Sequence, residues 1–191
     1  MQAIVQGAPV FIKGETFQDT NENGIFDIGV DIPLDTAYYK YGNSFETKEL
    51  IGAKNQKMTS FFFSGKTPYP LYFPQTQIEL RNTQLGGKRN TGDSIYVSSL
   101  EYGNGLTLGA DTSSIPAHYL FSGNPVTNKG WINTINMDQN MMVNSGPFTL
   151  EPNEPVEIIV AYVVGRGETS LESIDVTKKI AKDAIGFYST N

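Results

Sequence analysis

The sequence predicts a mainly β fold: an antiparallel β-sandwich-like domain with a C-terminal α-helix packed on it and a candidate short internal helix. The chain of 191 residues contains 19 Gly and 10 Pro, which is typical of many turns between short strands. It also contains 11 Phe and 10 Tyr, aromatic residues that favour strands. A helix-start pattern near residue 169, followed by apolar residues at helical spacing, predicts the C-terminal helix.

The predicted strands of the first two thirds are short runs of β-forming residues bounded by turn residues. They lie at residues 10–13, 37–41, 57–64, 95–97 and 118–121. Residues 67–74 hold three prolines among aromatic residues, which excludes a central strand and predicts an aromatic-packed loop. Residues 75–85 are the candidate internal helix, ended by Gly86 and Gly87.

The last third carries the clearest pattern. Residues 141–144 and 148–150 are predicted strands. Residues 156–164 are nearly all apolar, which indicates a central strand buried on both faces. Thr169 and Glu172 form a capping box that opens the last helix. The apolar face of that helix comprises Leu171, Ile174, Ala181, Ala184, Ile185 and Tyr188.

Composition limits the class of protein. No repeat or long linker divides the chain, so we predict a single domain over residues 1–191, with residues 1–45 an integral part of it. The absence of cysteine excludes disulfides and thiolate metal sites. No apolar run of 18 residues is present, so no membrane insertion is expected. The net charge of −6 argues against binding to nucleic acid or to an anionic membrane surface.

Residues 19–31 form the densest group of oxygen-bearing side chains and predict a calcium loop. Such a loop takes side-chain oxygens from positions one, three, five and nine, a glycine at position six and a backbone carbonyl from position seven. In order along the chain, these residues are Asp19, Asn21, Asn23, Gly24, Ile25 and Asp27.

The closing position of this loop departs from the pattern. Position twelve, usually a bidentate Glu, is Val30, and Asp31 follows it. Asp31 is the expected last ligand if the chain bulges at Gly29. A set with few charges predicts weak binding of a structural calcium ion. The alternative is a connection rich in Asx turns and without metal, because Asn and Asp hydrogen-bond their own backbone.

The second half of the chain contains several distinctive runs. Residues 121–132 read Phe-Ser-Gly-Asn-Pro-Val-Thr-Asn-Lys-Gly-Trp-Ile. They look like the F-x-G-D-P-V-T-G-x-G-W run of large secreted surface proteins of Bacteroidota and related bacteria. Asn124 stands here where the pattern has Asp, and Asn128 where it has Gly.

Three further runs follow the same order as in those proteins. Residues 142–152 (Met-Val-Asn-Ser-Gly-Pro-Phe-Thr-Leu-Glu-Pro) look like their S-G-P-F-T-hydrophobic-x-P-G run. Asn153 stands where that run has its final glycine. Residues 158–174 resemble the V-V-V-A-x-V-x-G-x-G segment and the L-x-S-V that follows it, and residues 82–92 are loosely similar to a preceding glycine-rich stretch. The resemblance covers about residues 75–190 and leaves the calcium loop outside it.

The resemblance implies a multidomain protein exported to the cell surface, often by type IX secretion, with no established activity and no catalytic residue to carry over. It implies an extracellular location, where millimolar calcium suits a weak site. Asp35-Thr36-Ala37 and Asp93-Ser94-Ile95 match the O-glycosylation pattern of these bacteria, so Thr36 and Ser94 are candidate acceptors.

No convincing catalytic set is present. His118 is the only histidine and cannot supply the clustered ligands of a zinc site, so a structural role is expected. Gly165 and Gly167 flank an arginine, but the Lys-Ser/Thr of a P-loop is missing, which favours a strand-to-helix turn. The acids of the proline-bounded turn are expected to be solvated rather than a glycosidase pair; they are Glu151, Glu154 and Glu157.

These features predict a non-catalytic extracellular module for adhesion, structure or assembly, whose partner is another protein or a further copy of the chain. The alternative is a carbohydrate-binding module that stacks sugars on surface tyrosines. The candidate tyrosines are Tyr38, Tyr39, Tyr41, Tyr69 and Tyr72.

Overall fold

The computed structural model describes residues 1–42, 46–65, 74–96, 117–133 and 138–190. The strands within these ranges are β1 Gln2–Gln6, β2 Pro9–Val10, β3 Phe17–Gln18, β4 Ile32–Pro33, β5 Thr36–Tyr41, β6 Glu46–Ile51, β7 Lys54–Asn55, β8 Ser60–Gly65, β9 Gln139–Asn144 and β10 Ile159–Tyr162. The helices are α1 Gln77–Leu85 and α2 Ser170–Thr190.

The strands form two-stranded antiparallel sheets, with the pairs β1–β10, β2–β7, β3–β4, β5–β6 and β8–β9. The prediction of a mainly β fold with one short internal helix and a C-terminal helix is therefore confirmed. In the described part of the chain, no helix is long and apolar enough to cross a membrane. The predicted aromatic loop over residues 67–74 lies, apart from Pro74, outside the described residues.

The chain forms two compact units. The first unit comprises Met1–Lys57, Ser145–Val164 and Lys179–Asn191, and the second comprises Met58–Asn144 and Gly165–Lys178. Neither unit is one continuous segment of the chain. The single domain predicted over residues 1–191 stays a prediction.

The first unit is organised by hairpin pairing and by one buried amide. β5 pairs with β6 over the full length of both strands, from Thr36 opposite Ile51 to Tyr41 opposite Glu46. Gln6, at the end of β1 and 5% exposed, accepts from the Lys40 N–H at 2.6 Å and donates to the Lys40 carbonyl at 2.9 Å. Its amide therefore binds the backbone of β5 as a neighbouring strand would.

The apolar run before the last helix differs from its prediction. The strand is only β10, Ile159–Tyr162, and among the described strands it pairs only with β1. Val160 is 40% exposed and Tyr162 is 77% exposed. The prediction of a central strand buried on both faces is wrong: β10 has one described strand neighbour, and its Val160 and Tyr162 face is exposed. Residues 148–150 are also not a strand.

The second unit has an aromatic core around β8. Phe62, Phe63, Ile95, Ala117, Leu120 and Trp131 form one buried cluster. The Phe121 ring lies between this cluster's aromatic residues, 5.3 Å from the Phe63 ring and 4.8 Å from the Trp131 ring. Trp131 is 3% exposed, so it belongs to the core. The predicted strand at residues 118–121 is reduced to one bridge, between Tyr119 and Phe61.

Both helices begin at capping boxes. In α1, the Thr76 hydroxyl accepts from the Glu79 N–H at 3.2 Å and the Glu79 carboxylate accepts from the Thr76 N–H at 3.1 Å. In α2, Thr169 and Glu172 exchange the same two bonds at 3.2 and 3.0 Å, as predicted. Each box satisfies N–H groups that the first turn of a helix leaves free.

Candidate metal centre

The loop of residues 19–31 connects β3 and β4, which pair as a short two-stranded ladder. β3 and β4 pair Phe17 with Pro33 and Gln18 with Ile32. Beyond the ladder, the N–H groups of Leu34 and Asp35 both donate to the Thr16 carbonyl, at 2.9 and 3.1 Å. The two ends of the loop are thus fixed close together.

The Asp19 carboxylate, at the start of the loop, accepts hydrogen bonds from three donors. Its Oδ1 accepts from the Asn23 N–H at 3.2 Å, and its Oδ2 accepts from the Gly24 N–H at 2.8 Å. The Lys13 ammonium also donates to Oδ2, at 2.8 Å. The Asp19 side chain has no exposed surface, whereas that of Lys13 is 56% exposed. The hydrogen bond from Lys13, helped by the two N–H groups, lowers the pKa of Asp19 below its ordinary value.

Asn21, Asn23 and Asp27 converge on one another. Asp27 Oδ2 accepts from the side-chain amides of both Asn21 and Asn23, at 2.8 and 2.7 Å. The amide oxygens of the two asparagines accept from backbone N–H groups two residues on, at 3.2 and 2.8 Å. The amide N–H groups therefore face Asp27, and the amide oxygens face the backbone. A cation beside Asp27 would require both amides to turn by half a rotation, which exchanges O for N and gives up the two backbone bonds.

Asp31 closes the loop at its base. It is 6% exposed. Its Oδ1 accepts from the Thr20 N–H at 2.7 Å, and its Oδ2 accepts from the Asp27 N–H at 2.8 Å. Asp31 therefore ties the first and last turns of the loop together. Val30, at the position usually held by a ligand, is 51% exposed.

Apart from Phe26, the remaining loop residues face solvent. Ile25, whose carbonyl is the predicted ligand, has a side chain that is 67% exposed. Gly24 adopts φ 81° and Gly29 adopts φ 83°, in the left-handed region that favours glycine. Gly24 at position six thus provides the sharp turn that the pattern predicts.

Charged groups alone do not make a site here. In the ranges that the structure describes, no three or more His, Cys, Asp or Glu side chains are grouped so as to hold a metal ion. A cation in this loop would also need the asparagine and carbonyl oxygens, which matches the low charge of the predicted set.

Phe26 anchors the loop on an apolar base. Its ring stacks on the Phe11 ring, with centroids 5.5 Å apart, and meets the Phe17 ring edge-on at 5.4 Å. Gly52 lies under the same ring: a Cβ on Gly52 would be 2.7 Å from two Phe26 ring atoms. The loop is therefore held by packing on one side and by Asp19 and Asp31 on the other.

The two candidate glycosylation residues differ in accessibility. Thr36 is half-buried in β5, and its N–H is held by the Asp35 carboxylate at 2.7 Å. Ser94 is exposed and forms a bridge with Lys88. Ser94 is the more accessible acceptor of the two.

The structure separates the other candidate groups. His118 has an exposed side chain, which lies against the turn formed by Gly86 and Gly87. The N–H groups of Gly165 and Gly167 donate to Thr177 and Ser173 of α2, both at 3.0 Å, as a strand-to-helix turn requires.

The tyrosines form no common platform among the described residues. In β5, Tyr38 alternates with Tyr39 and Tyr41 and so points to the opposite face of the sheet. Tyr38 is 57% exposed, whereas Tyr41 carries the Lys48 ammonium 3.7 Å from its ring centre. Tyr69 and Tyr72 lie outside the described residues.

Sequence reasoning missed Lys13, because nothing in its spacing from Asp19 indicates a partner. The signal available was Gly14, which follows it at φ 78° and lets the chain turn so that Lys13 bridges to Phe17. That turn places the ammonium beside the start of the loop.

Comparison of the chain with protein-family models, with curated proteins and with solved structures yields no significant match.

Proposed function

We propose that this chain is a non-catalytic extracellular module for adhesion or assembly, whose loop at residues 19–31 is stiffened by a calcium ion. The observation that carries the proposal is the convergence of Asn21 and Asn23 on Asp27. It is supported by the Asp19 carboxylate at the head of the same loop, which accepts hydrogen bonds from Lys13, Asn23 and Gly24. We further propose kinship with the exported surface proteins of Bacteroidota that residues 75–190 resemble.

In this proposal each residue of the loop contributes a defined ligand atom. Asp19, Asn21, Asn23 and Asp27 supply side-chain oxygens, Ile25 supplies its carbonyl, and Asp31 completes the set while clamping the loop base. Calcium favours such oxygen ligands in a flexible geometry. The Lys13 ammonium already occupies one face of Asp19 Oδ2. A second cation is repelled there, which is a further reason to expect weak binding.

Calcium binding is tested by thermal unfolding in millimolar calcium and in EDTA. A ligand at ten times its dissociation constant stabilises the folded state by about 1.4 kcal/mol. For a chain of this size, that corresponds to a rise of about 3–6 °C in Tm. Asp27→Asn removes the carboxylate on which both asparagines converge and is expected to abolish the rise. Asp35→Asn makes the same charge change just outside the loop and is expected to keep it.

An unchanged Tm across millimolar calcium would mean that the loop is an Asx-turn connection without metal. A rise that persists in Asp27→Asn would place calcium elsewhere in the chain.

A carbohydrate-binding module is the second candidate, favoured by the 57% exposure of Tyr38. An exposed tyrosine offers a flat apolar face with a polar tip. A glycan array with the whole chain tests this candidate, with Tyr38→Ala as the matched variant. Binding lost in that variant supports the candidate, and silence on the array opposes it.

A further inference from the structure

A groove of about 680 Å³ lies within the first unit, with the calcium loop as one of its walls. The loop contributes Gly24, Ile25 and Phe26. The other aromatic rings along the groove are Phe11, Tyr39 and Phe148. Phe11 is 45% exposed and Ile25 is 67% exposed, so apolar surface in the groove is open to solvent.

The charge of this groove is of one sign. Glu151, Glu154 and Glu157 line it, and among the described residues no Lys or Arg lines it. Glu151 and Glu154 are exposed on a turn closed by the Glu154 N–H to the Glu151 carbonyl at 3.2 Å. Glu157 is fixed, because its Oε1 accepts from the Gly42 N–H at 3.0 Å. Acids beside low-dielectric walls concentrate a negative potential.

The backbone on one side of the groove is available for pairing. Pro147, Phe148 and Thr149 line it and belong to no strand. Within the described part of the chain, no backbone hydrogen bond is recorded for Phe148 or Thr149. The N–H and C=O groups of Phe148 and Thr149 can therefore bond the backbone of an added peptide, since such bonds provide affinity when an extended peptide is bound.

We infer that this groove binds an extended cationic peptide segment of a partner protein. Its apolar or proline side chains lie on Phe11 and Phe148, and its lysine or arginine side chains reach Glu151 and Glu154. Aromatic faces attract cations as well as apolar groups, and the acids oppose anionic partners such as nucleic acid. The inference rests on the proposed function, since it names the chemistry of the partner of an adhesion or assembly module.

The test is fluorescence polarisation with the whole chain and two labelled nonapeptides. One alternates lysine with proline and leucine, and the other has glutamate at each lysine position. We expect only the cationic peptide to bind, with an affinity that falls as salt is added. Equal binding of the two peptides, or binding of neither, overturns the inference.

Charge-reversal variants locate the site. The double variant Glu151→Lys with Glu154→Lys is expected to weaken binding about tenfold or more, as loss of charge complementarity does. Glu46→Lys with Glu49→Lys makes the same change on exposed residues of β6 that do not line the groove, and is expected to bind like the unaltered chain. Equal loss in both pairs would mean that only the net charge matters, which contradicts a specific groove.

The apolar contribution is tested by Phe148→Ser, with folding checked by circular dichroism. A folded variant that binds the cationic peptide as well as the unaltered chain overturns the inference.

Failure of this inference is distinguishable from failure of the calcium site. Calcium-dependent stabilisation without peptide binding would contradict the peptide inference and support the calcium site. Peptide binding without any calcium effect on Tm would support the peptide inference and contradict the calcium site.

Discussion

At the scale of single residues, Phe26 joins the polar loop to the interior of the first unit, and Gly52 makes room for it. Gly52 is buried and has φ 80°, and an added Cβ would meet three Phe26 ring atoms at 2.7–2.8 Å. We expect Gly52→Ala to lower the free energy of unfolding by about 2–4 kcal/mol, from left-handed backbone strain together with overpacking. Urea unfolding measures the change.

The matched control for Gly52→Ala is Gly186→Ala in α2. A Cβ on Gly186 would meet nothing within 4 Å, and alanine in a helix stabilises by about 0.5–1 kcal/mol relative to glycine. Opposite signs for the two variants are expected. A neutral Gly52→Ala would mean that Phe26 is not held in place by its neighbours.

The pair of Lys13 and Asp19 makes the stability of the loop depend on pH. The hydrogen bond from Lys13 lowers the pKa of Asp19, so the contribution of this carboxylate is present above its unfolded pKa and is lost as pH falls through the folded value. The bond to Asp19 raises the pKa of Lys13, so its contribution is present below the unfolded pKa and is lost as pH rises through the folded value.

Lys13→Gln tests this linkage. We expect the variant to lose less stability than the unaltered chain when the pH falls below about 4, and again when it rises above about 10, because those are the ordinary ranges of the two groups. Urea midpoints measured from roughly pH 2 to 11, a range that spans both transitions, give the difference. Parallel curves for the two proteins would show that the ion pair adds nothing to stability.

The residues of the loop illustrate what local sequence can predict. Asn21 and Asn23 each bond the backbone N–H two residues on, and their side-chain amides reach Asp27. All of these bonds join near neighbours in the chain, which is why the local pattern predicts them. The partner Lys13 depends on a turn and a bridge outside the pattern. The role of Asp31 as a clamp depends on how the two ends of the loop meet at β3 and β4.

At the scale of elements, the start of α2 was predictable because a capping box is a local device. Thr169 accepts from the Glu172 N–H, and its own N–H donates to the Glu172 carboxylate. We expect Thr169→Ala to lower the free energy of unfolding by about 1 kcal/mol. Among the described residues, the neighbouring Ser170 hydroxyl forms no hydrogen bond. Ser170→Ala is therefore expected to change the free energy of unfolding by less than about 0.5 kcal/mol.

Chemical denaturation compares the two cap variants. Equal losses would show that the cost comes from losing any hydroxyl in the first turn and not from the box. Glu172→Gln keeps the reciprocal bond and is expected to retain most of the stability.

The strand before α2 was predicted less well, because an apolar run does not reveal how many neighbours it will have. Residues 156–164 suit a strand covered on both faces, but β10 pairs only with β1 in the described chain. In α1, the apolar Ile78 is 75% exposed, while the polar Thr83 is fully buried. Neither result follows from the local pattern, because both depend on pairing and packing with residues distant in sequence.

At the scale of the whole molecule, the chain passes between its two units four times, at residues 57–58, 144–145, 164–165 and 178–179. Neither unit is a contiguous segment, and α2 contributes residues to both. We expect a chain connected in this way to unfold in one cooperative transition. That is the behaviour of a single domain.

Trp131 makes that expectation measurable. It is the only tryptophan and lies in the core of the second unit, so its fluorescence reports unfolding there. Leu120→Ala, in the same core at 2% exposure, is expected to lower the free energy of unfolding by about 2–5 kcal/mol and to lower the fluorescence midpoint directly.

Gly52→Ala alters the first unit. If the chain is one domain, it must lower the Trp131 midpoint as much as it lowers the midpoint from far-ultraviolet circular dichroism. An unchanged Trp131 midpoint in a destabilised Gly52→Ala variant would show that the two units unfold independently and that the chain contains two domains.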